Sequence, residues 1–313
     1  MNYSYKIKFI ENLVPYFREF GIKFSTVYLM DAMLKKYSHR HHHIRKYLRK
    51  DFANIDLEND IPECKLADDF NIWVLWWQGE EKMPPIIKIC YTYLINHCKG
   101  YEVNLITKYN YDTYIDLPSN ILKKFKNGNM TITDFSDICR LALLDKYGGL
   151  WIDSTVLLTD DIIKYPLIYT ERFFSLKFAQ MDTSFFEVSY GRWSVYLMGS
   201  AYIHYPLYNL ALRIYYKYWN EHDIAIDYFL TDFIFDYLYE HSNMIKEDID
   251  HLPINNKNHL ELAHIMENKY NETFYEKLLS DCIFHKLTRK QSWDFTNQDT
   301  FLGHIIKDMP NEK

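Results

Sequence analysis

The chain has 313 residues, 48% of them hydrophobic and 25% charged, which supplies a substantial core and excludes intrinsic disorder. A formal net charge of −6 gives no overall attraction to nucleic acid. The five cysteines, at 64, 90, 98, 139 and 282, contain no C-x-x-C pair, and their odd number suits free thiols in a reducing, cytoplasmic compartment better than a disulfide framework.

The first 50 residues hold 11 Lys or Arg against three acids, a local +8 that leaves −14 for the remainder. Ile7, Ile10, Leu13, Val14 and Phe17 recur at three- and four-residue spacing, which predicts a helix, kinked at Pro15. Charges at Lys6, Lys8, Glu11, Arg18 and Glu19 interrupt the apolar residues, so no signal peptide is expected. Further on, Arg40, Arg45, Lys46 and Arg49 surround His41, His42 and His43. This basic stretch suits peripheral contact with acidic lipid on the inner face of a membrane, and equally a solvated helix face. Three consecutive histidines on a helix point in different directions, so they read as incidental rather than as a metal set.

Residues 51–68 read as a polar linker, which sets a helical, basic N-terminal element with linker (1–68) apart from a main domain (69–313). Asn71 to Trp77 (NIWVLWW) suits a buried strand, Pro84 and Pro85 open a helix to about His97, and Tyr101 to Thr107 (YEVNLIT) reads as the next strand. Strand, helix, strand predicts a βαβ unit in a parallel sheet. A helix over Thr131 to Tyr147 follows, with Thr133 as N-cap and Gly148 as its stop, and Gly149 then leads into a strand ending at Asp153. That order places Asp153 at the carboxyl end of a parallel strand, where open α/β sheets bind ligands. On the helix, Ile138, Leu141 and Leu144 form a stripe for the sheet, while Asp137 and Arg140 share a polar face at its rim. The uncharged run Trp193 to Leu212 contains Gly199, Ser200, His204, Pro206 and Asn209, which disfavour a lipid-embedded helix. Fingerprints for dinucleotides, P-loop phosphates, zinc proteases and serine hydrolases are all missing.

The string Ser136-Asp137, Arg140, then Tyr147-Gly148-Gly149-x-Trp151-x-Asp153-x-Thr155 resembles the signature of the capsular polysaccharide synthesis family of glycosyltransferases. It is also similar to strings in mannosyltransferase-like enzymes and large clostridial glucosylating toxins. The resemblance implies an A-type glycosyltransferase fold, a Rossmann-like α/β architecture with a mainly parallel mixed sheet, over 69–313. It further implies transfer of a sugar from a UDP-sugar or other NDP-sugar to a hydroxyl of a surface polysaccharide or its polyprenyl-linked oligosaccharide precursor, with retained anomeric configuration. Asp137, Arg140 and the Gly148-Gly149 turn are thereby assigned to the donor sugar, and Asp153 to the nucleotide sugar, to catalysis and, with Thr155, to Mn²⁺ or Mg²⁺. By itself, Asp137 with Arg140 also fits an ordinary helix-surface ion pair. Thr155 stands where the toxin pattern has a second Asp, and a hydroxyl binds a divalent ion more weakly than a carboxylate.

Weaker likenesses extend the expected site. Trp76, with Trp77 beside it, resembles an aromatic that stacks on the nucleotide base, or both are core tryptophans. Met198-Gly199-Ser200 resembles a turn lining the donor pocket, or is a surface turn. Asp232, in the segment Asp227 to Asp232, resembles a catalytic carboxylate, or is a helix-surface acid. His285, Lys286 and Arg289 resemble an element that closes over the diphosphate, or form a basic surface strand. Two rival readings stay open: a catalytically silent sugar-nucleotide-binding scaffold, motivated by Thr155, and a toxin-like protein glycosyltransferase, motivated by the helix string.

Overall fold

In the computed structural model, residues 14–53, 55–57, 59, 61–178 and 187–309 are described, so Ile7, Ile10 and Leu13 lie outside the described residues. The N-terminal region forms separate helices over residues 14–20, α1 (Ile22–Met33) and α2 (Tyr37–Phe52). Gly21, at φ 78°, makes the first break in the left-handed conformation that glycine adopts without steric cost. In α2, His41, Ile44, Leu48 and Phe52 are buried at three- and four-residue spacing, while His42 is exposed and His43 stacks on Phe24. The arginines of α2 turn toward the body of the protein. Arg45 donates to Asp236 at 2.6 Å, Arg40 lies 3.8 Å from Asp227, and Arg49 donates to Glu240 at 3.3 Å. His222 adds a clamp, its two ring nitrogens 2.9 Å from Glu19 and 3.1 Å from Asp51. Lys35, Lys36, Lys46 and Lys50 remain exposed.

Within the predicted linker, β1 (Lys65–Leu66) is already a strand. The predicted βαβ unit follows as β2 (Asn71–Leu75), α3 (Pro85–His97) and β3 (Glu102–Ile106), with β2 and β3 parallel from Asn71↔Glu102 to Leu75↔Ile106. Then come α4 (Ile132–Tyr147), β4 (Gly149–Ile152), β5 (Val156–Leu158), β6 (Phe174–Ser175), β7 (Leu197–Ser200) and β8 (Tyr202–Ile203). Helices α5 (Pro206–Glu221) and α6 (Leu230–His241) and strand β9 (Phe284–Lys286) complete the elements that build the cleft. The five-stranded sheet has the order β3-β2-β4-β7-β6. Its first three strands are mutually parallel, β7 is antiparallel to both neighbours, and the result is a mixed sheet in an α/β chain. Two short antiparallel ribbons, β1-β8 and β5-β9, sit beside it.

Helix α4 starts at Thr131 rather than Thr133. Thr131 Oγ1 accepts from the Asp134 amide, and the Asp134 carboxylate accepts from the Thr131 amide. This reciprocal cap needs an acid three residues on, which Thr131 has and Thr133 lacks. The predicted stripe Ile138, Leu141 and Leu144 is fully buried. So is most of the opposite face, because α4 packs on β2 and β4 with one side and on α5 with the other. Asp137 and Arg140 therefore form a buried pair, not a helix-surface pair. Cys90, Cys98, Cys139 and Cys282 are free and buried, and Cys64 is free and half-buried. Among the described residues, no helix is long and apolar enough to cross a membrane.

Candidate functional site

Strand β3 lies on one side of β2 and β4 on the other, so the chain order reverses between β2 and β4. In open α/β sheets the crevice beyond the carboxyl ends of such strands is the natural place for a ligand. A cleft of about 480 Å³ opens there, walled by Trp76 and Trp77 after β2, Asp153 and Thr155 after β4, and the segment Lys286 to Lys290. A deeper pocket of about 240 Å³ adjoins it and contains Glu187, Trp193, Thr231 and Asp232. Asp137, Arg140, Asp153, Tyr228 and Lys286 belong to both and make them one continuous site.

An alternating chain of charges runs along the shared wall. Arg140 donates to Asp137 at 2.7 Å and to Asp153 at 3.1 Å, and its guanidinium lies 5.0 Å from the centre of the Trp151 ring. Thr231 and Tyr215 donate to the other Asp137 oxygen at 2.7 and 3.4 Å. Asp153 also accepts from the Trp151 indole at 2.9 Å and from Lys286 at 2.9 Å. The same ammonium donates to Thr155 at 2.7 Å and stands 4.6 Å from the Tyr196 ring centre. Burial alone would raise the Asp153 pKa, but Lys286 and Arg140 outweigh it and hold the carboxylate below its usual range. At Asp137 burial wins over Arg140 and the shift is upward.

The deeper pocket has the opposite character. Burial pushes Asp232 up to about 8, against the Trp193 indole that donates to it at 2.9 Å, and pushes Glu187 up to about 7. Two carboxyls whose proton is held into the neutral pH range can donate as well as accept hydrogen bonds, which suits a polyhydroxylated ligand. The folded chain then holds a proton on Asp232 that the unfolded chain releases near the ordinary value of 3.8. The corresponding stability is full below that value and is lost as pH rises toward 8, so Asp232→Asn should flatten the fall of melting temperature between pH 4 and 8. An unchanged slope in thermal melts across that range would mean that Asp232 is ionised in the folded state.

Of the residues singled out from the sequence, Trp76, Trp77, Asp137, Arg140, Asp153, Thr155, Lys286 and Arg289 line the outer cleft, and Asp232 lines the inner pocket. Trp77 is also wedged among Tyr111, Phe125 and Phe135, with ring centres 5.2–5.3 Å away, and Trp76, equally half-buried, packs on a second apolar cluster. Four others are not brought to the site. Gly148 and Gly149 stand at the amino end of β4, the far end of that strand from Asp153, and Ser200 is their buried neighbour, paired with Gly149. The Gly148 carbonyl accepts from the Trp73 indole, and Ser200 Oγ accepts from the Tyr202 amide. These three residues shape the helix-to-strand turn instead of a ligand pocket. His285 is fully buried, because side chains alternate along β9 and the strand that turns Lys286 toward the cleft turns His285 into the core. Burial lowers its pKa to about 3, so it carries no charge to offer a diphosphate.

Glu187, Trp193, Tyr196, Tyr215, Tyr228 and Thr231 were not foreseen as site residues. Only Tyr228 and Thr231 had a signal, since both fall in the segment 227–232 that drew attention to Asp232. The pair Asp153 and Thr155 is not open to a divalent ion as arranged. One carboxylate and one hydroxyl could hold such an ion together with substrate phosphates and waters, but here both are already bonded to an ammonium. Another group of possible ligands, Asp51, Glu221 and His222, lies at the seam with the N-terminal helices, where His222 is taken by Asp51 and Glu19.

A family model described as capsular polysaccharide synthesis protein matches residues 26–305, which takes in every residue of the cleft and pocket. Comparison with curated proteins and with solved structures gives no match. A match over nearly the whole chain, with the whole site inside it, means that this protein belongs to the capsular polysaccharide synthesis protein family.

Proposed function

We propose that the chain is an A-type glycosyltransferase that moves a sugar from a nucleoside diphosphate donor to a hydroxyl of a capsular or related polysaccharide or its polyprenyl-linked precursor, with retention. The observation that carries this reading is the Asp137-Arg140-Asp153-Lys286 chain of charges at the point where strand order reverses, between an aromatic-walled outer cleft and an inner pocket that holds two carboxyls. In this reading the base stacks on Trp76, the diphosphate faces Lys286 with the exposed Arg289 and Lys290, and the sugar enters the inner pocket. There its hydroxyls meet Asp232 and Glu187. Departure of the diphosphate builds negative charge, which fixed cations stabilise without reorganisation. A retaining transfer with the incoming hydroxyl on the same face as the leaving group requires no separate general base. A largely neutral Asp232 agrees with that, as a hydrogen-bonding partner for sugar or acceptor.

The test is release of nucleoside diphosphate from UDP- and GDP-sugars, with and without glycan acceptors, alongside donor binding followed by tryptophan fluorescence. Trp76→Ala should weaken nucleotide binding about tenfold to a hundredfold, the worth of one stacked base at about 1–3 kcal/mol. Binding without hydrolysis or transfer for every donor would favour the silent scaffold that Thr155 suggests. No binding at all would sink the donor-site reading. A peripheral membrane contact rests on the exposed Lys35, Lys36, Lys46 and Lys50. Reversing these four charges should abolish co-sedimentation with acidic-lipid vesicles, and equal sedimentation of both forms would refute the contact.

A further inference from the structure

We infer that Lys286 stands in for a divalent cation at the Asp153-x-Thr155 pair, so that this chain binds its nucleoside diphosphate without metal. The inference rests on the donor-site reading above and specifies how that site is charged. The Lys286 ammonium lies where an ion shared by the two positions would sit, 2.9 Å from Asp153 and 2.7 Å from Thr155. Residue 155 is matched to that occupant. A hydroxyl accepts from an ammonium without adding charge, whereas a second carboxylate there would suit a dication.

The ammonium is held by construction, not by chance rotamer. Pairing of β5 with β9 sets Lys286 opposite Val156, and the Leu287 amide donates to the Thr155 carbonyl at 2.8 Å, so the backbone beside residue 155 is tied to the backbone beside Lys286. The Tyr196 ring supports the charge from a third direction. Both Asp153 oxygens are engaged, since the other one accepts from both Arg140 and the Trp151 indole. The two cations Arg140 and Lys286 already balance Asp137 and Asp153, so a dication added beside the ammonium would meet like charge at short range. Two of the three ammonium N–H bonds are spent on Asp153 and Thr155, which leaves one not committed to a hydrogen bond with them. Lys286 lines both the outer cleft and the inner pocket, the position from which a diphosphate at their junction is reached.

The experiment is titration of the full chain with UDP and with GDP, by calorimetry, once in EDTA and once in Mn²⁺. The expected result is an affinity for the preferred nucleotide that agrees within about twofold between the two conditions. Lys286→Met should weaken it at least about tenfold in both, as loss of one charge-assisted bond requires. Lys286→Arg, which keeps the charge, should retain metal-free binding, and its recovery separates loss of charge from loss of fold. Thermal melts of both variants check the same point. Nucleotide binding that appears only with Mn²⁺ would overturn the inference and leave the donor-site reading standing, as would undiminished binding by Lys286→Met. Binding of neither nucleotide in either condition would overturn both.

Discussion

Asp153→Asn should lower donor turnover by about 10²- to 10³-fold, the usual effect of removing one group from a preorganised charge array. Asp153 accepts from three donors on three separate elements: Arg140 on α4, Trp151 on β4 and Lys286 on β9. An amide of the same shape keeps one acceptor oxygen and turns an NH₂ toward either Arg140 or Lys286, which bond different oxygens. Arg140 and Lys286 lose their shared anion, and the direction in which they face a ligand is no longer fixed. The structure adds a cost in stability, because breaking a buried ion pair leaves an uncompensated charge worth about 3–5 kcal/mol. Asp153 is 28% exposed on its side chain and Arg140 keeps Asp137, so the loss belongs at the lower end of that range. Nucleotide release and thermal melting measured on one preparation separate the two effects. Turnover equal to that of the parent chain would remove Asp153 from the site.

Gly149→Ala should prevent folding or lower the melting temperature by more than about 10 °C, a loss of several kcal/mol at roughly 2–4 °C for each in a chain of this size. Gly149 has φ 86°, where a side chain strains the backbone, and a Cβ built on it would overlap the carbonyl oxygen of Asn71. Neither obstacle is a flexible side chain that can swing away. The overlap falls where β4 joins β2, so relief requires breaking the parallel pairing of Ile72 with Leu150 on which the position of Asp153 depends. Opposite, a Cβ on Gly199 would stand 2.5 Å from the Gly149 carbonyl oxygen, so the approach is tight on both flanks of β4. A direct role in donor binding predicts instead a well-folded variant with weakened nucleotide affinity. Soluble expression and a thermal melt decide between the two.

The contrast between Gly149 and Asp153 shows which features were legible in the residues. Both belong to one short string, and the string correctly implied a helix, a glycine turn and a strand delivering a carboxylate to the sheet's carboxyl edge. It did not reveal that the glycines stay at the opposite edge. Strand length decides that, and four residues of β4 separate the turn from the cleft. Ser200 follows for the same reason, since antiparallel pairing with Gly149 carries it to the amino end as well.

By itself the sequence determined the elements whose signals are local: the amphipathic stripe of α4, the apolar run of β2, the proline-led α3 and the family-like string that ends at Thr155. These depend on periodicity and turn chemistry, which act within a few residues. Only the tertiary structure decided which charges meet. Asp153 and Lys286 are 133 positions apart, and their contact depends on the register of β5 against β9. A shift of one residue in that register would exchange Lys286 for His285 in the cleft, because side chains alternate along a strand. Packing of α5 against α4 likewise turned an expected surface pair, Asp137 and Arg140, into a buried one. Register and layer packing are fixed by the fit of distant apolar surfaces, and no local pattern in the sequence encodes that fit.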